Sequence, residues 1–141
     1  MSSQRYFTPE QANELLPAVQ PLVERLVEHR RALAEAQQAR ESLVGRIGGN
    51  GDLRGGGYAE LVEIDRTIGR TLSGIARCVN GINELGALVK DLDSGLIDFP
   101  ARLGGEDVLL CWQLGEERIE FWHGTEEGYA GRKPLEGAAE G

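Results

Sequence analysis

The chain has 141 residues and a formal net charge of −8, and 40% of its residues are hydrophobic. This length fits one domain and excludes large multi-domain machines. No apolar run approaches the roughly 20 residues of a membrane span, no charged-then-apolar leader follows Met1, and there are only two cysteines. We therefore expect a cytoplasmic protein without a disulfide framework or membrane contact.

The first segment begins with a helix-start signal. Residues 8–11 read Thr-Pro-Glu-Gln, which supplies an N-cap hydroxyl, a proline at the first helical position and a capping glutamine. Pro17 and Pro21 each remove a backbone donor, so we predict a kink or a separate first helix over 9–16. Apolar spacings of four and three predict a long amphipathic, coiled-coil-like helix. The stripe is Leu15, Val19, Leu22, Leu26, Leu33, Ala36 and Leu43.

A glycine-rich loop and a second helix are predicted next. Residues 45–57 contain seven glycines, and each costs about 1 kcal/mol in a helix relative to alanine. The second helix is predicted over 58–88, which gives an antiparallel helical hairpin spanning 1–90. A single hairpin buries little area, so we expect a homodimer or a protein partner. The second stripe is Leu61, Ile64, Ile68, Leu72, Ile75, Val79, Ile82 and Leu85.

The last segment, 91–135, changes to a period of two. A short strand over 96–99 is predicted to stop at Pro100, while 107–113 and 118–123 alternate as a β-hairpin would. These strands predict a small antiparallel sheet after the helices, hence the α+β class. The tail, 136–141, is predicted to be disordered.

The negative charge lies in this same segment. Residues 91–141 hold four basic and twelve acidic side chains. Only Arg30-Arg31 and Arg132-Lys133 place basic residues side by side, so we expect no nucleic-acid binding. An acidic module suits a metal ion or a basic partner, or simply a solubilising surface.

Cys111 and His123 are candidate metal ligands on paired strands. A two-residue turn at Gly115-Glu116 would put them on opposite faces, and a three-residue loop would put them on one face; the sequence leaves both registers open. Three nearby carboxylates could complete the set: Asp98, Glu116 and Glu126. A thiolate, an imidazole and carboxylates suit Zn or Fe. The alternative is a buried hydrophobic cysteine and a surface histidine.

Two tryptophans and one arginine of the acidic segment are candidates for partner binding: Trp112, Trp122 and Arg132. The alternatives are core packing for the tryptophans and pairing with local acidic side chains for the arginine. The sequence lacks G-x-S-x-G, H-E-x-x-H and C-x-x-C, so no catalytic residue is predicted. A Cys111–His123 nucleophile pair would need both side chains on one face.

Several of these segments resemble a bacterial family catalogued as domain of unknown function 2203. The similar segments are residues 90–100 (KDLDSGLIDFP), 110–112 (LCW), 122–123 (WH) and 131–135 (GRKPL), with 6–8 (YFT) similar to the family's start. The resemblance spans 5–135 and implies a small cytosolic bacterial protein, without supplying site residues. We predict a non-enzymatic interaction or oligomerisation module, with a small Zn- or Fe-binding protein as the alternative.

Overall fold

Two long helices lead into a five-stranded antiparallel sheet. The structure is a computed structural model and describes residues 5–50 and 57–136. The elements are α1 (Pro9–Asn50), α2 (Gly57–Glu84), β1 (Leu88–Asp91), β2 (Leu96–Leu103), β3 (Glu106–Gln113), β4 (Phe121–Gly124) and β5 (Lys133–Pro134), with a short 3₁₀ turn at Tyr129–Gly131. The strands pair in chain order, which confirms the predicted α+β class. Within the described ranges, neither helix is long and apolar enough to cross a bilayer.

Helix α1 starts with the predicted reciprocal cap. The Gln11 amide donates to Thr8 Oγ1 at 3.1 Å, and the Thr8 amide donates to Gln11 Oε1 at 3.0 Å. The predicted separate helix over 9–16 is wrong, because α1 runs unbroken through Pro17 and Pro21. Both prolines are exposed, so they lie on the solvent side of α1. Burial of the opposite face stabilises this part of α1 against the cost of the prolines.

The glycine-rich segment is more helical than predicted. Helix α1 continues to Asn50, so the predicted loop is wrong over 45–50, while 51–56 lie outside the described residues. Leu43 is buried and the Ile47 side chain packs beside Gly57 at the start of α2. These tertiary contacts outweigh a weak local propensity. Helix α2 ends at Glu84, earlier than predicted, and the predicted tail lies outside the described residues except for Glu136.

The helices pack antiparallel, with Leu22 beside Gly81 and His29 beside Gly74. The buried residues of α2 are Thr71, Gly74, Cys78 and Ile82. Leu72, a member of the predicted stripe, is 51% exposed. The prediction was wrong there because Gly74, and not Leu72, faces α1. The imidazole of His29 occupies the space beside this glycine.

The sheet differs from the prediction in two strands, β2 and β4. Strand β2 continues through Pro100, whose carbonyl accepts from the Phe7 amide at 2.8 Å. The nitrogen of Pro100 therefore also faces away from β3. The donor that proline lacks costs no hydrogen bond between β2 and β3. Strand β4 begins only at Phe121. The preceding Ile119 amide donates to Asn13 Oδ1 at 2.7 Å, which ties residues 118–120 to α1 instead.

The two faces of the sheet have different neighbours. Residues such as Phe99, Leu110 and Trp112 pack with the helices in the main core. The alternate residues of the same strands point to the opposite face, and many of these are buried too. Asp98 and Cys111 belong to that second face.

Gly95 occupies a position that a side chain would strain. Its φ is +72°, and an added Cβ would lie 2.9 Å from both Leu114 Cβ and Val23 Cγ1. We expect Gly95→Ala to lower the free energy of unfolding by about 2–3 kcal/mol, measured by urea denaturation. The matched control is Gly104→Ala, where φ is +59° and no atom lies within 4 Å of the added Cβ. Backbone strain alone should cost about 1 kcal/mol there, and equal losses at both sites would contradict this packing argument.

Candidate metal centre

Three neighbouring strands bring Asp98, Cys111 and His123 together. Asp98 on β2 is directly opposite Cys111 on β3. Cys111 pairs with Phe121 on β4, two residues before His123, and residues two apart share one face of a strand. Of the two registers left open by the sequence, this is the one that puts Cys111 and His123 on the same face.

The geometry of this group resembles a set of metal ligands. Its three donor atoms all lie within 4.8 Å of one another, and His123 Nε2 is 3.1 Å from each oxygen of Asp98. Ligand atoms around a tetrahedral zinc ion lie about 3.3–3.8 Å apart. Asp98 and Cys111 are 0% exposed and His123 is 2% exposed, so the group lies inside the protein.

Hydrogen bonding fixes which nitrogen of His123 faces the group. Nδ1 lies 2.8 Å from the Gly124 carbonyl oxygen. Because a carbonyl can only accept, Nδ1 must carry a proton and donate it. Nε2 is then directed at the Asp98 carboxylate. A histidine that ligates a metal is commonly oriented in this way, by a carbonyl on its other nitrogen.

The Cys111 thiol is not activated. Burial raises the pKa of Cys111 to about 12, the Asp98 carboxylate raises this pKa too, and the Arg132 guanidinium opposes both. Burial likewise raises the pKa of the Cys78 thiol, against the nearby guanidiniums of Arg25 and Arg77. A nucleophilic cysteine needs the opposite setting, so the arrangement argues against Cys111 as a nucleophile.

We expect neither thiol to react in the native protein. At pH 8 a thiol of pKa about 12 is roughly one part in 10⁴ thiolate, and both cysteines are buried. Titration with a chromogenic disulfide should therefore detect almost no thiol before denaturation and two per chain after it. Rapid reaction of one thiol in the folded protein, lost in Cys111→Ala and kept in Cys78→Ala, would contradict the placement of Cys111.

Glu116 is not part of the group, contrary to the prediction. Arg132 donates to both of its carboxylate oxygens, at 2.8 and 2.9 Å, and the Gln113 amide donates to it at 2.8 Å. A single guanidinium nitrogen, Nη2, makes both contacts, and they leave the carboxylate occupied in the turn after β3. Arg132 thus has the local acidic partner that was the alternative to partner binding. Glu126 is exposed and is not in the group either.

The two tryptophans have different surroundings. Trp112 is 0% exposed, and its indole Nε1 donates to the Glu116 carbonyl at 3.0 Å. It is a core residue, so the prediction that it contacts a partner is wrong. Trp122 is half-buried, and the Lys133 ammonium lies 4.7 Å from the centre of its ring.

Comparison with known proteins places most of the chain in one family. Residues 5–135 match the family described as "Uncharacterized conserved protein (DUF2203)". No curated protein and no solved structure matches the chain.

Proposed function

We propose that this chain, which belongs to the DUF2203 family of uncharacterised conserved proteins, binds a divalent transition-metal ion through Asp98, Cys111 and His123. One observation carries the proposal: these side chains are buried together with their donor atoms within 4.8 Å of one another. Buried ionisable groups are costly unless paired or bound to a metal. A hydrogen-bonded triad without a metal is the competing interpretation.

Charge balance supports the metal. A carboxylate, a thiolate and a neutral imidazole carry two negative charges, which a divalent cation neutralises, so the occupied site adds no net charge to the interior. Sulfur, nitrogen and oxygen ligands together favour Zn²⁺ or Fe²⁺ over Mg²⁺ or Ca²⁺.

The burial of the ligands favours a structural role. Each ligand comes from a different strand, β2, β3 or β4, so one ion would link three strands of a small sheet. Structural zinc sites have four protein ligands and catalytic sites have three with an open position, but here all three side chains are almost fully enclosed, which limits access of a substrate to the ion. We infer that the ion stabilises the fold and takes no part in a reaction.

The experiment measures metal in untagged protein. The chain is reconstituted with Zn²⁺, or with Fe²⁺ under anaerobic conditions, and then desalted. Its metal content is measured by elemental mass spectrometry. About one ion per chain is expected for the wild type, and none for Cys111→Ala or His123→Ala. Cys78→Ala is the matched control, since it removes the other buried cysteine, on α2.

Two further results complete the test. Co²⁺ in place of Zn²⁺ should give a thiolate-to-metal absorption band that disappears in Cys111→Ala. Folded wild-type protein that retains neither Zn²⁺ nor Fe²⁺ would overturn the proposal and leave the hydrogen-bonded triad.

The interaction or oligomerisation module stays a prediction. The apolar side chains of α2 that reach its surface include Tyr58 and Leu72. Light scattering coupled to size exclusion would test self-association, and a strict monomer at high concentration would count against it.

A further inference from the structure

A groove on the helical hairpin gathers basic side chains that the sequence analysis did not connect. Arg66, Arg70 and Arg77 of α2 line one cavity of about 650 Å³ together with His29 of α1. The arginines are four and seven residues apart, so they share one face of the helix. No two of these arginines are adjacent in the sequence; only their helical spacing of four and seven residues indicates the cluster.

His29, which lines the groove, packs against a glycine of α2. An added Cβ at Gly74 would lie only 2.5 Å from His29 Nε2, so the imidazole packs directly against the backbone of α2. Thr71 and Ser73 also line the cavity. The Thr71 hydroxyl donates to the Ile68 carbonyl at 3.0 Å.

The arginines of this groove are poorly neutralised. Arg66 pairs with the exposed Glu63 at 2.8 Å, but the ion pairs found within the described ranges include neither Arg70 nor Arg77. The guanidiniums of Arg77 and Arg25 both lower the pKa of the Cys78 thiol, against the effect of burial. Arg25 of α1 is therefore a further cation near Arg77. Like charges at this spacing destabilise a helix, so an anion that joined them would be stabilised.

The size of the groove favours a compact anion over a polymer. Residues 66–77 span about 16 Å along the helix axis. Carboxylates flank this stretch on α2, at Glu60 and Glu63 before it and at Glu84 after it. With a net charge of −8, a long polyanion would extend onto acidic surface, whereas a small ligand would not.

We propose that this groove binds a small phosphate-bearing molecule, with Arg70 and Arg77 as its phosphate-binding residues. Guanidinium groups match phosphate oxygens in bidentate pairs, and the hydroxyl groups and imidazole beside them supply further polar contacts. The proposal stands independently of the metal site, which lies on the sheet.

The test is calorimetric titration of the full chain in the presence of EDTA, which excludes bridging by metal. Inorganic pyrophosphate, adenosine diphosphate and glucose 6-phosphate are the probes, with single-stranded DNA of about 20 nucleotides as the polymer. We expect saturable binding of pyrophosphate and the diphosphate nucleotide, weakened at least about tenfold by Arg70→Gln or Arg77→Gln. Tighter binding of the nucleotide than of pyrophosphate would identify a nucleotide as the source of the phosphate; equal binding would identify inorganic phosphate chemistry.

Arg31→Gln is the matched control, because Arg31 is exposed and lies about 200° around α1 from His29. Its binding should equal that of the wild type. Melting curves of the two groove variants should match or exceed the wild type, since neither Arg70 nor Arg77 takes part in the ion pairs found within the described ranges. No binding of pyrophosphate or nucleotide, equal weakening by Arg31→Gln, or tighter binding of DNA than of the small probes would each overturn the proposal.

Discussion

Replacing Asp98 by leucine is expected to lower the free energy of unfolding of the metal-free protein by about 3–5 kcal/mol. His123 Nε2 would lose its partner at 3.1 Å in a position that water does not reach. A buried polar atom without a partner retains its full desolvation penalty. Urea denaturation in EDTA measures the loss without any contribution from a bound ion.

A double-mutant cycle separates the pair from simple packing. The Asp98→Leu/His123→Leu double variant removes both partners, so it should be more stable than the sum of the two single losses predicts, by at least about 1 kcal/mol. Asp98→Asn is the conservative control, because an amide can still hydrogen-bond to the imidazole, and it should cost less than Asp98→Leu. Strict additivity of the two leucine substitutions would contradict the pairing of Asp98 with His123.

Local sequence patterns predict the helical half of the fold, but they do not predict the register of the sheet. The reciprocal cap of Thr8 and Gln11 was predictable because both partners lie within four residues. The start of β4 was not, because it depends on a bond between Ile119 and Asn13, 106 residues apart. Such a contact leaves no periodicity in the strand that it shortens.

Propensity misled the prediction wherever burial opposed it. Pro17 and Pro21 were read as breaks in α1, and the glycines of 45–50 as a loop, but α1 continues through both. In each case the apolar residues around the weak helix formers pack against another element. Packing of an amphipathic face contributes more to a long helix than the intrinsic preference of single residues does.

The candidate ligands were visible in the sequence, but their selection was not. Asp98, Cys111 and His123 were chosen for their chemistry, and the strand pairing places them together. Glu116 had the same chemistry and lies nearer along the chain to Cys111 and His123 than Asp98 does, yet Arg132 holds its carboxylate. Partners from distant parts of the chain compete for each carboxylate and decide which one is available as a metal ligand. Only the tertiary structure shows the outcome of this competition.

Metal binding is expected to release the Cys111 thiol proton. This proton remains in place at neutral pH because burial raises the pKa of Cys111 to about 12, and only the thiolate binds a metal ion. The ionisation of Cys111 alone should therefore make the affinity increase about tenfold for each pH unit between about pH 6 and pH 7.5.

Titration calorimetry in buffers of different ionisation enthalpy measures this proton release directly. Cys111→Ala should give no saturable metal binding and hence no proton release, because the site has lost its thiolate ligand. Cys78→Ala should behave like the wild type, since its thiol lies on α2, outside the group. Metal binding by the wild-type protein without proton release would mean that Cys111 stays a thiol, and would contradict its role as a ligand.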